Sequence, residues 1–139
     1  MKQIKVDNLL FLQSIDELLK EGRTVEFKVK GNSMLPFFKH EKTIVTLEKP
    51  TNYKKHDVII AKYNDLVVLH RIIKIKNNIY TLRGDGLISK EYVKINDIYG
   101  KVVSFKTNDK KIKFYKTKVV IWLLLRPVRR LLLKFIKKG

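Results

Sequence analysis

Between Thr24 and Phe105 the chain is divided into short, β-rich segments by turn residues, and this cadence restricts the fold more than any other feature. The spacing predicts strands at 24–30, 43–48, 57–63, 66–75, 78–83 and 98–106. Asn64-Asp65 and Asn77-Asn78 separate consecutive segments. Asn and Asp tolerate positive φ, so both pairs suit tight hairpins. Pro50-Thr51-Asn52 reads as a loop, and Gly84-Asp85-Gly86 breaks the strand that ends at Arg83. The expectation is a mainly antiparallel β domain with frequent hairpins. Ahead of it, Leu9, Leu12, Ile15, Leu18 and Leu19 recur at helical spacing. They predict an amphipathic helix over 7–21, capped by Asp7 or Asn8, stopped by Gly22 and packed on the sheet.

With 139 residues, 45% of them hydrophobic, the chain can bury a modest core by itself. The expected division is a β domain with its N-terminal helix over 1–107 and a basic extension over 108–139. There is no cysteine, which excludes disulfides, thiolate catalysis and cysteine-based metal sites. His40, His56 and His70 are scattered, with no metal-ligand spacing, so neither a metal nor a cofactor is expected.

The formal charge of +18 is unevenly spread. Residues 1–100 carry 18 basic and 12 acidic side chains, whereas residues 101–139 carry 13 basic and one acidic. Such an extension calls for an anionic partner, a membrane surface or a nucleic acid. Its longest uninterrupted apolar run is the seven residues Val119 to Leu125, against about 20 needed to span a bilayer. Neither a transmembrane helix nor a secretory signal at the start is expected, since charged residues soon interrupt Leu9-Leu10-Phe11-Leu12.

On a helical wheel, Lys118 to Lys138 separates basic from apolar residues. Such a helix fits an anionic membrane interface, with Trp122 at headgroup depth and Arg126, Arg129, Arg130 and Lys134 toward lipid phosphates. The alternative is a helix packed on the sheet with a solvated basic face. Nucleic-acid binding ranks third, because leucines rather than aromatics interleave the basic residues.

The candidate chemistry starts at Gly31-Asn32-Ser33-Met34-Leu35-Pro36. Glycine lets the backbone bend after the first strand, and Pro36 stiffens the exit. Met34 and Leu35 offer apolar anchors. Ser33 on this turn is either a nucleophile or an ordinary turn serine. A nucleophilic serine needs a base. His70, in the long apolar strand Leu66 to Ile75, shares a face with Val68 and Ile72 and lies opposite Leu69 and Arg71. It is either a core histidine or an oriented base. His40 is a second candidate base, and His56 reads as a surface residue. Asp85 either orients an imidazole or closes an Asx turn.

Taken in order, Gly31–Pro36, Asp57-Val58-Ile59-Ile60-Ala61, Leu69-His70-Arg71-Ile72-Ile73, Gly84-Asp85-Gly86 and Ile98-Tyr99-Gly100-Lys101-Val102-Val103 resemble the type I signal peptidase and LexA-like serine peptidase superfamily. The likeness covers residues 24–106. It is nearest to the histidine-type branch, and to small bacterial relatives without an N-terminal membrane anchor. The resemblance implies a coiled antiparallel β-sheet domain. It implies Ser33 as nucleophile, His70 as general base and Asp85 as an auxiliary acid. Backbone N–H groups of the loop Asn32, Ser33, Met34 and Pro36, that of Ser33 included, would hold the oxyanion. It further implies a peptide or precursor-protein substrate bound as an added strand. Leu87 stands where the family has an asparagine after Gly-Asp. A non-catalytic relative that binds a peptide or a membrane is the alternative function. The expected place is the cytoplasm, peripheral on the inner membrane face.

Overall fold

The computed structural model describes residues 6–111 and 115–125. Helix α1 covers Val6–Lys20. Its Leu12, Ile15 and Leu19 are buried, as their spacing requires. Gly22 ends it at φ 84°, with Arg23 N–H donating to Leu18 O at 3.2 Å and Gly22 N–H to Leu19 O at 3.0 Å. These two bonds satisfy carbonyls that the helix leaves open at its end.

Seven strands follow: β1 (Val25–Lys28), β2 (Thr43–Glu48), β3 (Val58–Tyr63), β4 (Leu66–Lys76), β5 (Ile79–Arg83), β6 (Glu91–Val93) and β7 (Ile98–Thr107). They form one curled antiparallel sheet in the order β1-β2-β7-β3-β4-β5-β6. Six of the seven coincide with predicted segments. β1 is shorter than 24–30, because the chain turns into the serine loop, with Gly31 at φ 90°. The β3–β4 and β4–β5 hairpins turn on Asn64-Asp65 and Asn77-Asn78, all four at positive φ between 49° and 62°. Strand β6 has no counterpart among the predicted strands. A short helical turn, Ile95–Asp97, leads from it into β7.

The sheet buries both faces at its centre. Val58, Ile60, Val67 and Leu69 join α1 and the serine loop in one core cluster. Ile59, Ala61, Val68 and Ile72 join Leu82, Val93 and Ile98 in a second. Successive residues of β3 and β4 thus point into different cores, as strand alternation demands.

Helix α2 covers Tyr115–Leu124. It begins before the predicted Lys118, and residues 126–139 of the predicted helix lie outside the described residues. Val119 and Trp122 are buried in the first cluster. Burial of Trp122 corrects its assignment to a membrane surface. The indole is 6% exposed, and its N–H donates to Asp85 O at 2.8 Å. Arg126, Arg129, Arg130 and Lys134 also lie outside the described residues. Among the described residues, no helix is long and apolar enough to cross a membrane.

Candidate active site

The serine loop is held from beneath by its own apolar residues. Met34, Leu35, Phe37 and Phe38 are all buried. Phe37 and Phe38 N–H groups both donate to Met34 O at 3.0 Å, and Leu35 N–H donates to Asn32 O at 3.2 Å. The Leu35–Pro36 peptide is cis. Gly31 N–H donates to His40 Nδ1 at 2.7 Å. His40, considered as a base, therefore braces the entrance of the loop with that nitrogen. Ser33 is 6% exposed.

The turn after β5 closes over this loop. Gly86 N–H donates to Ser33 O at 2.8 Å, and Asp85 N–H to Met34 Sδ at 3.3 Å. No larger residue fits at Gly84. A Cβ there would overlap the Ser33 carbonyl oxygen and stand 3.1 Å from both Cδ2 and Nε2 of His70. The Ser33 backbone carbonyl and the His70 imidazole thus both border the bare backbone of Gly84. At Gly86, a Cβ would fall 2.7 Å from Asn32 O, so this glycine too permits close approach.

His70 is 3% exposed. Its Nδ1 lies 2.5 Å from Glu91 Oε1. A carboxylate only accepts, so this contact places a proton on Nδ1 and leaves the Nε2 lone pair as the basic position. Nε2 is buried and has no hydrogen-bond partner among the described residues. The Ser33 hydroxyl therefore makes no hydrogen bond to Nε2 in this conformation, although the Ser33 carbonyl and the imidazole edge both border Gly84. Catalytic hydrogen bonds in unliganded enzymes are often loose and tighten with substrate.

Asp85 does not hold His70, which corrects its role as the auxiliary acid. Its Oδ1 accepts from Arg71 Nε at 2.9 Å, and its Oδ2 from Arg71 Nη2 at 2.7 Å. The reason is register. Ile72 opposes Leu82, and Leu82 opposes Glu91, so these three share the face of His70. Arg71 opposes Arg83 on the other face, and the chain delivers Asp85 to that side two residues after Arg83. Glu91 was missed because it sits on the three-residue strand β6, as one acidic residue between Lys90 and Lys94. Its only cue was the alternation of Glu91-Tyr92-Val93.

Arg71 is the hub of the second face. Its Nη1 donates to His56 O at 2.8 Å, and Nη2 also donates to Tyr115 Oη at 2.7 Å. The guanidinium carbon lies 5.8 Å from the Phe37 ring centre and 5.7 Å from that of Tyr115. Burial alone would push the Arg71 pKa down; the Asp85 charge and hydrogen bonds outweigh it and hold the pKa above its ordinary value. Burial raises the Tyr115 pKa, and Arg71 draws it partway back. His56 is exposed, as predicted. Partial burial, then Lys55 and Arg71, still lower its pKa below 6.5. Among the described residues, no three His, Asp or Glu side chains converge as a metal site.

A family model described as Peptidase S24-like matches residues 3–103, which span α1, the serine loop, His70, Glu91 and half of β7. A comparison with curated proteins gave no match.

Proposed function

The chain belongs to the Peptidase S24-like family, and from that premise we propose that it is a serine endopeptidase acting on a peptide or precursor protein through Ser33 and His70. One observation carries this reading. Glu91 fixes the His70 Nδ1 side, while Nε2 stays unpartnered beside Gly84 and the Ser33 backbone. A buried imidazole nitrogen with no partner costs stability, and a base waiting for a proton accounts for that cost.

In the mechanism, His70 Nε2 takes the Ser33 hydroxyl proton as Oγ bonds to the scissile carbonyl carbon. Backbone N–H groups of the serine loop hold the oxyanion. The imidazolium gives its proton to the departing amine as the peptide bond breaks. His70 next deprotonates water, which attacks the acyl-enzyme and frees Ser33. Glu91 balances the imidazolium charge through Nδ1–H and keeps the ring in one tautomer. Its role is positional, since it reaches the reacting atoms only through His70.

A fluorophosphonate probe, read by intact mass and peptide mapping, tests the assignment. The wild type is expected to gain one adduct at Ser33, and Ser33→Ala and His70→Ala to gain none. Labelling that persists in Ser33→Ala would contradict it. The second reading, a peptide-binding relative without turnover, draws on the low exposure of Ser33. A folded wild type that takes no adduct would favour it.

A further inference from the structure

Helix α2 has two apolar sides, and among the described residues only one is covered. Val119 and Trp122 face the core, but Val120 is 50% exposed, Ile121 52% and Leu124 76%. Residues at i, i+1 and i+4 form one stripe on a helix. Leu125, 36% exposed, extends it. Each flank of the stripe is basic. On one side a groove of about 340 Å³ joins Ile121 and Leu125 to Pro36, Phe37, Lys39 and Lys118. On the other, a cleft of about 650 Å³ brings Lys54, Lys55, Lys111 and Lys116, with a single carboxylate, Asp57, around the apolar Val119 and Val120.

We infer that this surface docks on an anionic lipid bilayer, with Val120, Ile121 and Leu124 among the acyl chains and the flanking lysines at the headgroup phosphates. The charge selects that occupant. After Asp109 the sequence has no acidic residue, and residues 110–139 add only basic charge. A second copy set against the stripe by a two-fold axis would bring lysine against lysine. A nucleic acid would use the lysines but leave the aliphatic stripe in water, and it would want aromatic residues where Ile121 and Leu124 stand. An apolar stripe between basic rims is the form of an interfacial helix.

The groove adds a consequence, which rests on the peptidase reading above. Pro36, Phe37 and Lys39 belong to the loop that carries Ser33, and they line the same surface as Ile121. Docking therefore holds the nucleophile loop beside the bilayer, where a membrane-delivered precursor would arrive.

The test is sedimentation of the full chain with vesicles of phosphatidylcholine alone and with phosphatidylglycerol added. Binding is expected to the anionic vesicles, to weaken with salt, and to be slight on the neutral ones. The double variant Ile121→Glu/Leu124→Glu should weaken binding about tenfold or more, because two exposed aliphatic side chains leave the lipid. Its melting temperature shows that the fold is kept, since both side chains already face solvent. Ser33→Ala should bind as the wild type does, so binding is scored independently of turnover. The inference is overturned by failure to bind anionic vesicles, or by unchanged binding of the folded double variant. It is also overturned if a duplex oligonucleotide displaces the chain from vesicles and binds the double variant as tightly.

Discussion

Two neighbours on β4, His70 and Arg71, each meet a buried carboxylate, and the two pairs are built for opposite ends. On one face every Arg71 nitrogen is engaged: Asp85 accepts from Nε and Nη2, Tyr115 Oη also accepts from Nη2, and His56 O accepts from Nη1. On the opposite face His70 is half satisfied, with Glu91 on Nδ1 and, among the described residues, nothing on Nε2. A saturated buried network fixes geometry. An unsaturated one leaves a polar atom open to a partner that arrives later, and the proposed reaction uses that opening. Adjacent residues of one strand point to opposite faces, so a locked face and a face with an open imidazole nitrogen share one scaffold.

The largest effect should come from unbalancing the locked face. Asp85→Ala leaves a buried guanidinium with no carboxylate and should cost about 3–5 kcal/mol in denaturant unfolding. Replacing both partners, as in Arg71→Met/Asp85→Leu, should cost clearly less than Asp85→Ala. A double variant as unstable as the single one would mean that the pair stabilises by more than charge balance.

At the junction of the two faces, Gly84→Ala forces a methyl group onto the Ser33 carbonyl and against the imidazole edge. Relief requires loop movement, at about 1–3 kcal/mol in stability. Adduct formation at Ser33 should fall further than unfolding explains, and labelling at the wild-type rate would show that the contact is not needed. Next in size, Trp122→Phe removes the bond to Asp85 O at about 0.5–1.5 kcal/mol, read as a lower denaturation midpoint.

The smallest effect concerns His56, whose carbonyl braces Arg71. Its folded-state pKa is lowered, so below the unfolded value near 6.5 the unfolded chain binds more protons. That contribution to stability is complete above about pH 6.5 and is lost as pH falls through the lowered value. His56→Gln should flatten the stability profile on this acid side; an unchanged slope would remove His56 from the account.

The comparison also explains what the sequence disclosed. Hairpins announced themselves through Asn64-Asp65 and Asn77-Asn78, because local φ preferences suffice for tight turns. The alternation of β4 put His70 on the face of Val68 and Ile72 and against Arg71, and the registers to β5 and β6 agree, with His70 on Glu91 and Arg71 on Asp85. The turn that carries Ser33 was visible from its glycine and proline, and the family from the ordered blocks around it. Partner choice was not visible. Asp85 and Glu91 are both plausible for His70 by composition, and only the Arg71–Arg83 and Leu82–Glu91 registers assign them. Register is a property of paired strands, and β6 is too short to show a period. Trp122 was misread for a related reason. A basic, apolar segment looks alike whether its indole meets lipid or a buried carbonyl.

The most direct measurement compares the two carboxylates in one reaction, the rate of fluorophosphonate labelling at Ser33 per folded molecule. Glu91→Gln should slow it by about 10²-fold or more, because the imidazole loses its fixed tautomer and its counter-charge. Asp85→Asn should lower the folded fraction and leave the rate of the folded molecules nearly unchanged. A Glu91→Gln variant that labels as fast as the wild type, beside a folded Asp85→Asn variant that labels slowly, would reverse the assignment of the two faces and contradict the account.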